Sequence, residues 1–195
     1  MRNIILASAS GIRLKILNDF GFSVKVEVAN VDEDEIKNSL LAEKFSSFDI
    51  SRALAETKAQ KISSKIYNQV VLGADQVLDL EGNIFNKPEN MDLAVSLMKR
   101  LNGQQHSLFS SICLSKNGST IWMHTEQVVL KMKQLSDSFI KDHLEKVGLE
   151  KIKKYGVYQI EGTGKDLFEE IKGDEYSVMG MPIKQLINYY KLNEI

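Results

Sequence analysis

Cysteine, proline and tryptophan are nearly absent from this chain: one Cys, two Pro and one Trp in 195 residues. The lone Cys113 cannot close an intrachain disulfide, and between Ile112 and Leu114 it reads as a buried structural thiol, which suits a reducing compartment. With so little proline and no linker-like tract, nothing marks a domain boundary, so residues 1–195 read as one domain. Nowhere do about 18 apolar residues run together, as a membrane-spanning helix needs. The apolar run at residues 4–7 is too short for a signal peptide, so the expectation is a cytoplasmic protein with no membrane partner. An excess of one charge is missing too. With 25 Lys+Arg against 26 Asp+Glu, and no basic block, broad nucleic-acid binding is disfavoured and any anion site must be local. Walker A, dinucleotide-fingerprint, HExxH and nucleophile-elbow patterns are all absent, and His106, His124 and His143 show no ligand spacing. That argues against the commonest nucleotide-binding folds, though not against nucleotides.

What is present begins at the first strand, Asn3-Ile4-Ile5-Leu6-Ala7, which runs into Ser8-Ala9-Ser10-Gly11-Ile12-Arg13. Hydroxyls, a glycine and the N-terminus of the helix that follows would together meet an anion from several directions. The same serines also fit a simple helix cap, and the segment alone does not choose between the two readings.

Apolar spacing predicts a helix over residues 13–20, stopped by Gly21, then a strand over 22–28. An acidic stretch, Val31-Asp32-Glu33-Asp34-Glu35, leads into a polar region, and a long helix is expected from about Asp49 as N-cap. Ile50, Leu54, Ile62 and Ile66 draw a stripe on that helix which includes Lys58, so Lys58 faces protein. Residues 70–78 read as a buried strand interrupted by the polar pair Asp75-Gln76, with a turn at Gly82-Asn83 returning toward Lys87-Pro88. A helix over about 91–101 follows, then strands near 106–115 and 120–132 joined by Asn117-Gly118, a type I′ hairpin signal. Residues 136–147 read as a serine-capped helix, the tail as glycine-rich loops and short strands, and 183–190 as a closing helix. This order predicts a mixed α/β or α+β sheet and not a regular doubly wound one.

Asp75, at the end of an apolar run, is costly unless paired or liganded, which makes it the leading candidate for a metal or a reacting group. Glu33 is the second carboxylate, although its acidic run also suits a solvated loop. Hard cations such as Mg²⁺ take carboxylate together with phosphate oxygens. Lys87 and Lys58 are candidate phosphate binders, with snorkelling along the core edge the other reading for Lys58.

In order and spacing these segments resemble the Maf family of nucleoside triphosphate pyrophosphatases. The resemblance is carried by Leu6-Ala7-Ser8-Ala9-Ser10 with Arg13, Val31-Asp32-Glu33, Leu54-Ala55 with Lys58-Ala59, Gly73-Ala74-Asp75-Gln76 and Lys87-Pro88. Further on, Gly156-Val157-Tyr158, Glu161-Gly162-Thr163-Gly164, Ile171-Lys172-Gly173-Asp174 and Val178-Met179-Gly180-Met181-Pro182 continue it. It implies the fold shared with inosine triphosphate pyrophosphatases, two lobes around a central cleft, and a homodimer. It also implies metal-dependent hydrolysis of a nucleotide to its monophosphate and pyrophosphate. By resemblance Ser8, Arg13, Lys58 and Lys87 match phosphate-binding positions, Glu33 and Asp75 the metal and catalytic positions, and Ser10, Ile12, Gln76 and Glu161 the substrate-binding ones, with Mg²⁺ or Mn²⁺ as the cation.

Gly11-Ile12 departs from the common family pattern of proline and arginine there. Gln76 and Glu161 resemble the branch acting on 7-methyl-GTP, which has tryptophan in place of Ile12, whereas the branch acting on dTTP and UTP has arginine, threonine and glutamine at positions 12, 76 and 161. An ionised carboxylate only accepts hydrogen bonds, and guanine presents two adjacent donors, so Glu161 favours a purine. The competing readings are a dTTP/UTP pyrophosphatase, a low-turnover nucleotide-binding regulator and a sugar-phosphate enzyme.

Overall fold

The computed structural model describes residues 2–160 and 162–193; Glu161 lies outside the described residues. Strand β1 (Arg2–Leu6) buries Ile4, Ile5 and Leu6, as an interior strand must. Helix α1 (Gly11–Asp19) follows, with Ser10 as N-cap, its hydroxyl accepting the Arg13 N–H at 3.4 Å. Strand β2 (Phe22–Val26) pairs parallel with β1 and stops before the expected residue 28, because its register partner ends with Leu6 opposite Val26.

The region expected to be polar and irregular forms helix α2 (Glu33–Ala42). Asp32 caps it by accepting the Glu35 N–H at 2.9 Å, and Glu33, Asp34 and Glu35 in the first turn complement the helix dipole. Ile36 and Leu40, one turn apart, pack on Ile50, Leu54 and Val77. Helix α3 (Ser47–Ser63) starts earlier than expected: Ser46 is its cap, and Asp49 lies in the first turn, donating its N–H to the Ser46 hydroxyl at 3.2 Å.

Strand β3 (Val70–Leu80) and the short β4 (Asn83–Phe85) precede helix α4 (Met91–Leu101). Strands β5 (Gln105–Lys116) and β6 (Ser119–Met132) are joined by Asn117-Gly118, both with positive φ as the type I′ reading requires. Helices α5 (Asp137–Val147) and α6 (Leu149–Tyr155), a 3₁₀ turn (Thr163–Leu167), strand β7 (Phe168–Lys172) and helices α7 (Glu175–Val178) and α8 (Ile183–Leu192) complete the described chain. No described helix is long and apolar enough to cross a membrane.

The sheet is mixed, as expected. Its order is β2-β1-β3-β5-β6-β7 with β4 on β3; β1 runs parallel to β2 and β3, and the remaining pairs are antiparallel. One apolar core joins α1 and α8 to β1 and β3 through Leu6, Leu17, Leu72 and Leu186. A second joins α4 and α5 to β5 and β6 through Met98, Leu108, Leu130 and Ile140. Alternation along β3 turns Leu72 and Ala74 toward the first core, while Val71 and Val77 pack with residues of α3. Gly73 lies on the α3 side, where a Cβ would sit 2.7 Å from the Ala59 nitrogen and press into the Ala55 carbonyl. Glycine there lets α3 lie directly on the sheet, and this close approach brings Lys58 over the next residue of that face, Asp75.

Candidate functional site

Asp75 is 4% exposed and Lys58 7%, the two most deeply placed members of a charged cluster. The Lys58 ammonium sits 2.7 Å from Asp75 Oδ1 and 2.7 Å from Glu33 Oε1, so one lysine bridges a strand carboxylate and a helix carboxylate. Glu33 is the first residue of α2 and not a loop residue; the helix that the sequence did not reveal is what aims it at Lys58. Burial alone would raise the Glu33 carboxyl, but the charges of Lys58, Lys37 and Lys87 together outweigh it and hold it below the ordinary carboxylate value. Asp75 Oδ2 is buried and has no hydrogen-bond partner among the described residues.

Arg13 reaches the same place from α1. Its Nη1 donates to the Ala74 carbonyl at 2.7 Å and to the Ser8 hydroxyl at 3.2 Å, and its Nε donates to the Gly180 carbonyl at 3.0 Å. Burial lowers its pKa, while Asp75 and Glu33 pull the other way. Gly180 has φ +78°, and a Cβ there would lie 3.0 Å from Arg13 Nη2, so backbone conformation and close contact both call for glycine. Lys87 is exposed along its length, but its ammonium turns to the Lys154 carbonyl at 2.8 Å near the end of α6. Burial of that end and the nearby Arg13 charge lower its pKa.

Gln76, the other half of the polar pair, is fixed by its amide nitrogen, which donates to the carbonyls of Ser177 at 3.0 Å and Val178 at 2.9 Å and to the Ser110 hydroxyl at 2.9 Å. Carbonyl oxygens cannot donate, so the nitrogen must face them, and Gln76 Oε1, with no partner among the described residues, is the accepting end.

All of these line one cleft of about 780 Å³. Ser8, Ser10, Ile12, Arg13, Glu33, Lys58, Asp75, Gln76 and Lys87 are brought together there, which leaves Glu161, outside the described residues, as the one predicted site residue not placed. Leu97, Leu108, Ile160 and Val178 give the cleft an apolar end. Sequence reasoning missed the backbone supports, the carbonyls of Ala74, Gly180, Ser177, Val178 and Lys154, because a carbonyl leaves no mark in residue identity. It also missed Tyr155, whose only signal was its place before Gly156. No group of three or more His, Cys, Asp or Glu that could hold a metal ion gathers among the described residues; Glu33 and Asp75 are the two carboxylates that Lys58 draws together in the cleft. The histidines lie elsewhere: His106 bonds Tyr158 and His143 the Val157 carbonyl.

Chemically, the arrangement suits a polyanion: Arg13, Lys58 and Lys87 line the cleft with Ser8 and Ser10, beside Asp75, whose buried Oδ2 has no hydrogen-bond partner among the described residues. The model of the family described as "Maf-like protein" matches residues 3–192. A protein named nucleoside triphosphate pyrophosphatase from Pelagibacter ubique is 46% identical over 98% of both chains, and one of the same name from Ruegeria pomeroyi is 39% identical over 98% of this chain and 96% of its own. A protein named 7-methyl-GTP pyrophosphatase from Rhizobium meliloti is 36% identical, again over 98% of this chain and 96% of its own.

Proposed function

This chain belongs to the Maf family, and we propose that it hydrolyses a nucleoside triphosphate to the monophosphate and pyrophosphate, with 7-methyl-GTP or another modified purine nucleotide as substrate. The observation that carries the reading is Asp75, buried with one oxygen on Lys58 and the other unpartnered among the described residues, facing a cleft that also holds Arg13 and Lys87.

A divalent cation fits this donor set, since Mg²⁺ or Mn²⁺ is bound by one or two carboxylates plus substrate phosphate oxygens, and Glu33 and Asp75 would be those carboxylates. Bound there, it would neutralise phosphate charge and sharpen the electrophilicity of the α-phosphorus. The chain's own residues divide the remaining work. The Asp75 carboxylate orients a water for in-line attack on the α-phosphate and accepts its proton. Arg13, braced on two backbone carbonyls, and Lys58, held between two carboxylates, meet the negative charge that grows on the bridging oxygen as pyrophosphate departs. Lys87 has two further N–H donors beyond the one on the Lys154 carbonyl, and Ser8 and Ser10 add hydroxyls at the α1 N-terminus.

The purine preference rests on hydrogen-bond sense. Gln76 offers only an acceptor, and Glu161, by resemblance to the 7-methyl-GTP branch, offers another; guanine's N1–H and amino group are two adjacent donors. Methylation at N7 adds positive charge to the base, which the carboxylate also favours.

Asp75→Asn tests the assignment. Turnover should fall by about 10²–10⁴, the usual worth of a positioned general base, while the far-ultraviolet circular dichroism stays that of the unaltered chain. Pyrophosphate release close to the unaltered rate would remove Asp75 from the chemistry.

A further inference from the structure

Gly11 occupies the first position of α1 with no positive φ, so its backbone does not call for glycine, and glycine is a poor helix former. What it makes room for is on the other side of the cleft: a Cβ at residue 11 would meet the Tyr155 hydroxyl oxygen at 3.4 Å. That is already contact distance, so a bulky side chain directed along the same line would crowd the Tyr155 hydroxyl.

Tyr155 ends α6, a short helix set between Gly148 at φ 80° and Gly156 at φ 93°. The residue before it is tied to the cleft by Lys87, whose ammonium donates to the Lys154 carbonyl at 2.8 Å. Three aromatic residues line the cleft, and two are already engaged. Phe85 carries the Arg100 guanidinium 4.5 Å from its ring centre. Tyr158 is almost buried, edge-on to Phe168 at 4.9 Å, with its hydroxyl 2.8 Å from His106. Tyr155 is only half-buried and has no aromatic neighbour among the described pairs; the Lys154 ammonium lies 5.3 Å from its ring, and the residue lines the cleft. Next to Gly11, Ile12 brings an aliphatic surface to the same cleft.

We propose that Tyr155 is the stacking platform for the base of the bound nucleotide, and that glycine at position 11 exists to seat it. A purine lying flat on the phenol ring, with Ile12 beside it, leaves its phosphates to extend toward Arg13, Lys58 and Lys87. This role deepens the proposed function and rests on it, because it names what holds the base in the same cleft.

Calorimetric titration with the non-hydrolysable α,β-methylene analogue of GTP in Mg²⁺, alongside inorganic tripolyphosphate as a base-free probe, tests the role without turnover. Tyr155→Ala should weaken the GTP analogue about tenfold, the usual worth of one base stacked on an aromatic ring, and shift tripolyphosphate by less than about twofold. Tyr155→Phe, which keeps the ring, should hold the GTP analogue's affinity. Gly11→Leu should weaken the GTP analogue comparably, and add nothing further in the Tyr155→Ala background. Unchanged binding of the GTP analogue by Tyr155→Ala, an equal loss for tripolyphosphate, additive Gly11 and Tyr155 effects, or no binding of the GTP analogue by the unaltered chain would each overturn it. Pyrophosphate release is measured separately, so failure of the hydrolytic assignment leaves a base-specific binding loss readable.

Discussion

Lys58 holds two carboxylates at once, and that single side chain explains how a buried aspartate is tolerated: Asp75 gives one oxygen to the ammonium and keeps the other free. The placement of Lys58 was legible, because its position on the stripe of Ile50, Leu54 and Ile62 required it to face protein. Asp75 was legible for a related reason, a charge stranded in an apolar strand. Glu33 was not, since an acidic run looks the same in sequence whether it is solvated or capping a helix. His106 carries a prediction at this scale. It is 2% exposed, and burial pushes its pKa from 6.5 down to about 4. A histidine depressed in the folded state stays neutral while the unfolded chain takes up a proton, so stability is whole above pH 6.5 and is lost as pH falls toward about 4. The gap is worth on the order of 3 kcal/mol. Urea unfolding at stepped pH should show that loss, and His106→Gln should flatten it; an identical acid slope in both proteins would assign the loss to other groups.

Helices and strands carry the site through how closely they approach. Gly73 allows α3 to rest on β3 and so sets the reach of Lys58 to Asp75. Gly73→Ala would put a methyl into the α3 backbone at Ala55 and Ala59. The expected cost is about 1–3 kcal/mol of stability, typical of overpacking, with turnover lowered as Lys58 is lifted from Asp75. Chemical denaturation and pyrophosphate release together check it, and a variant as stable and as active as the parent would show that the contact relaxes freely. Most elements were readable because their apolar periods are long: α1, β3, α4, the β5–β6 hairpin, α5 and α8 all lie near their expected spans. The exceptions have physical causes. α2 has only two inward apolar residues, Ile36 and Leu40, too few to show a period. The α3 cap was misplaced because Ser46 and Asp49 are both good capping residues, and only the hydrogen bond from the Asp49 N–H to Ser46 decides between them. α6, seven residues between two glycines, is too short to display a stripe.

At the scale of the molecule, a sheet with a parallel start and an antiparallel remainder sets two apolar cores beside one cleft. That the sheet would be mixed followed from the order of helices and hairpin; the strand order did not, because pairing β3 between β1 and β5 depends on contacts between residues far apart in the chain. The same pairing brings the α1 N-terminus, Asp75, Gln76 and the segment from Ser177, at the end of α7, to Gly180 together, so the charged end and the apolar end of the cleft are products of topology. Such a cleft suits a substrate with a charged tail and a flat apolar head. The most direct measurement is to incubate the purified chain with Mg²⁺ in heavy-oxygen water with 7-methyl-GTP, GTP, UTP and dTTP, and to analyse the products by mass. The expected result is pyrophosphate and nucleoside monophosphate, with the heavy oxygen in the monophosphate and the guanine nucleotides cleaved faster than the pyrimidine ones. Release of orthophosphate and a nucleoside diphosphate, or no cleavage of any of the four, would contradict attack at the α-phosphate and with it the assigned chemistry.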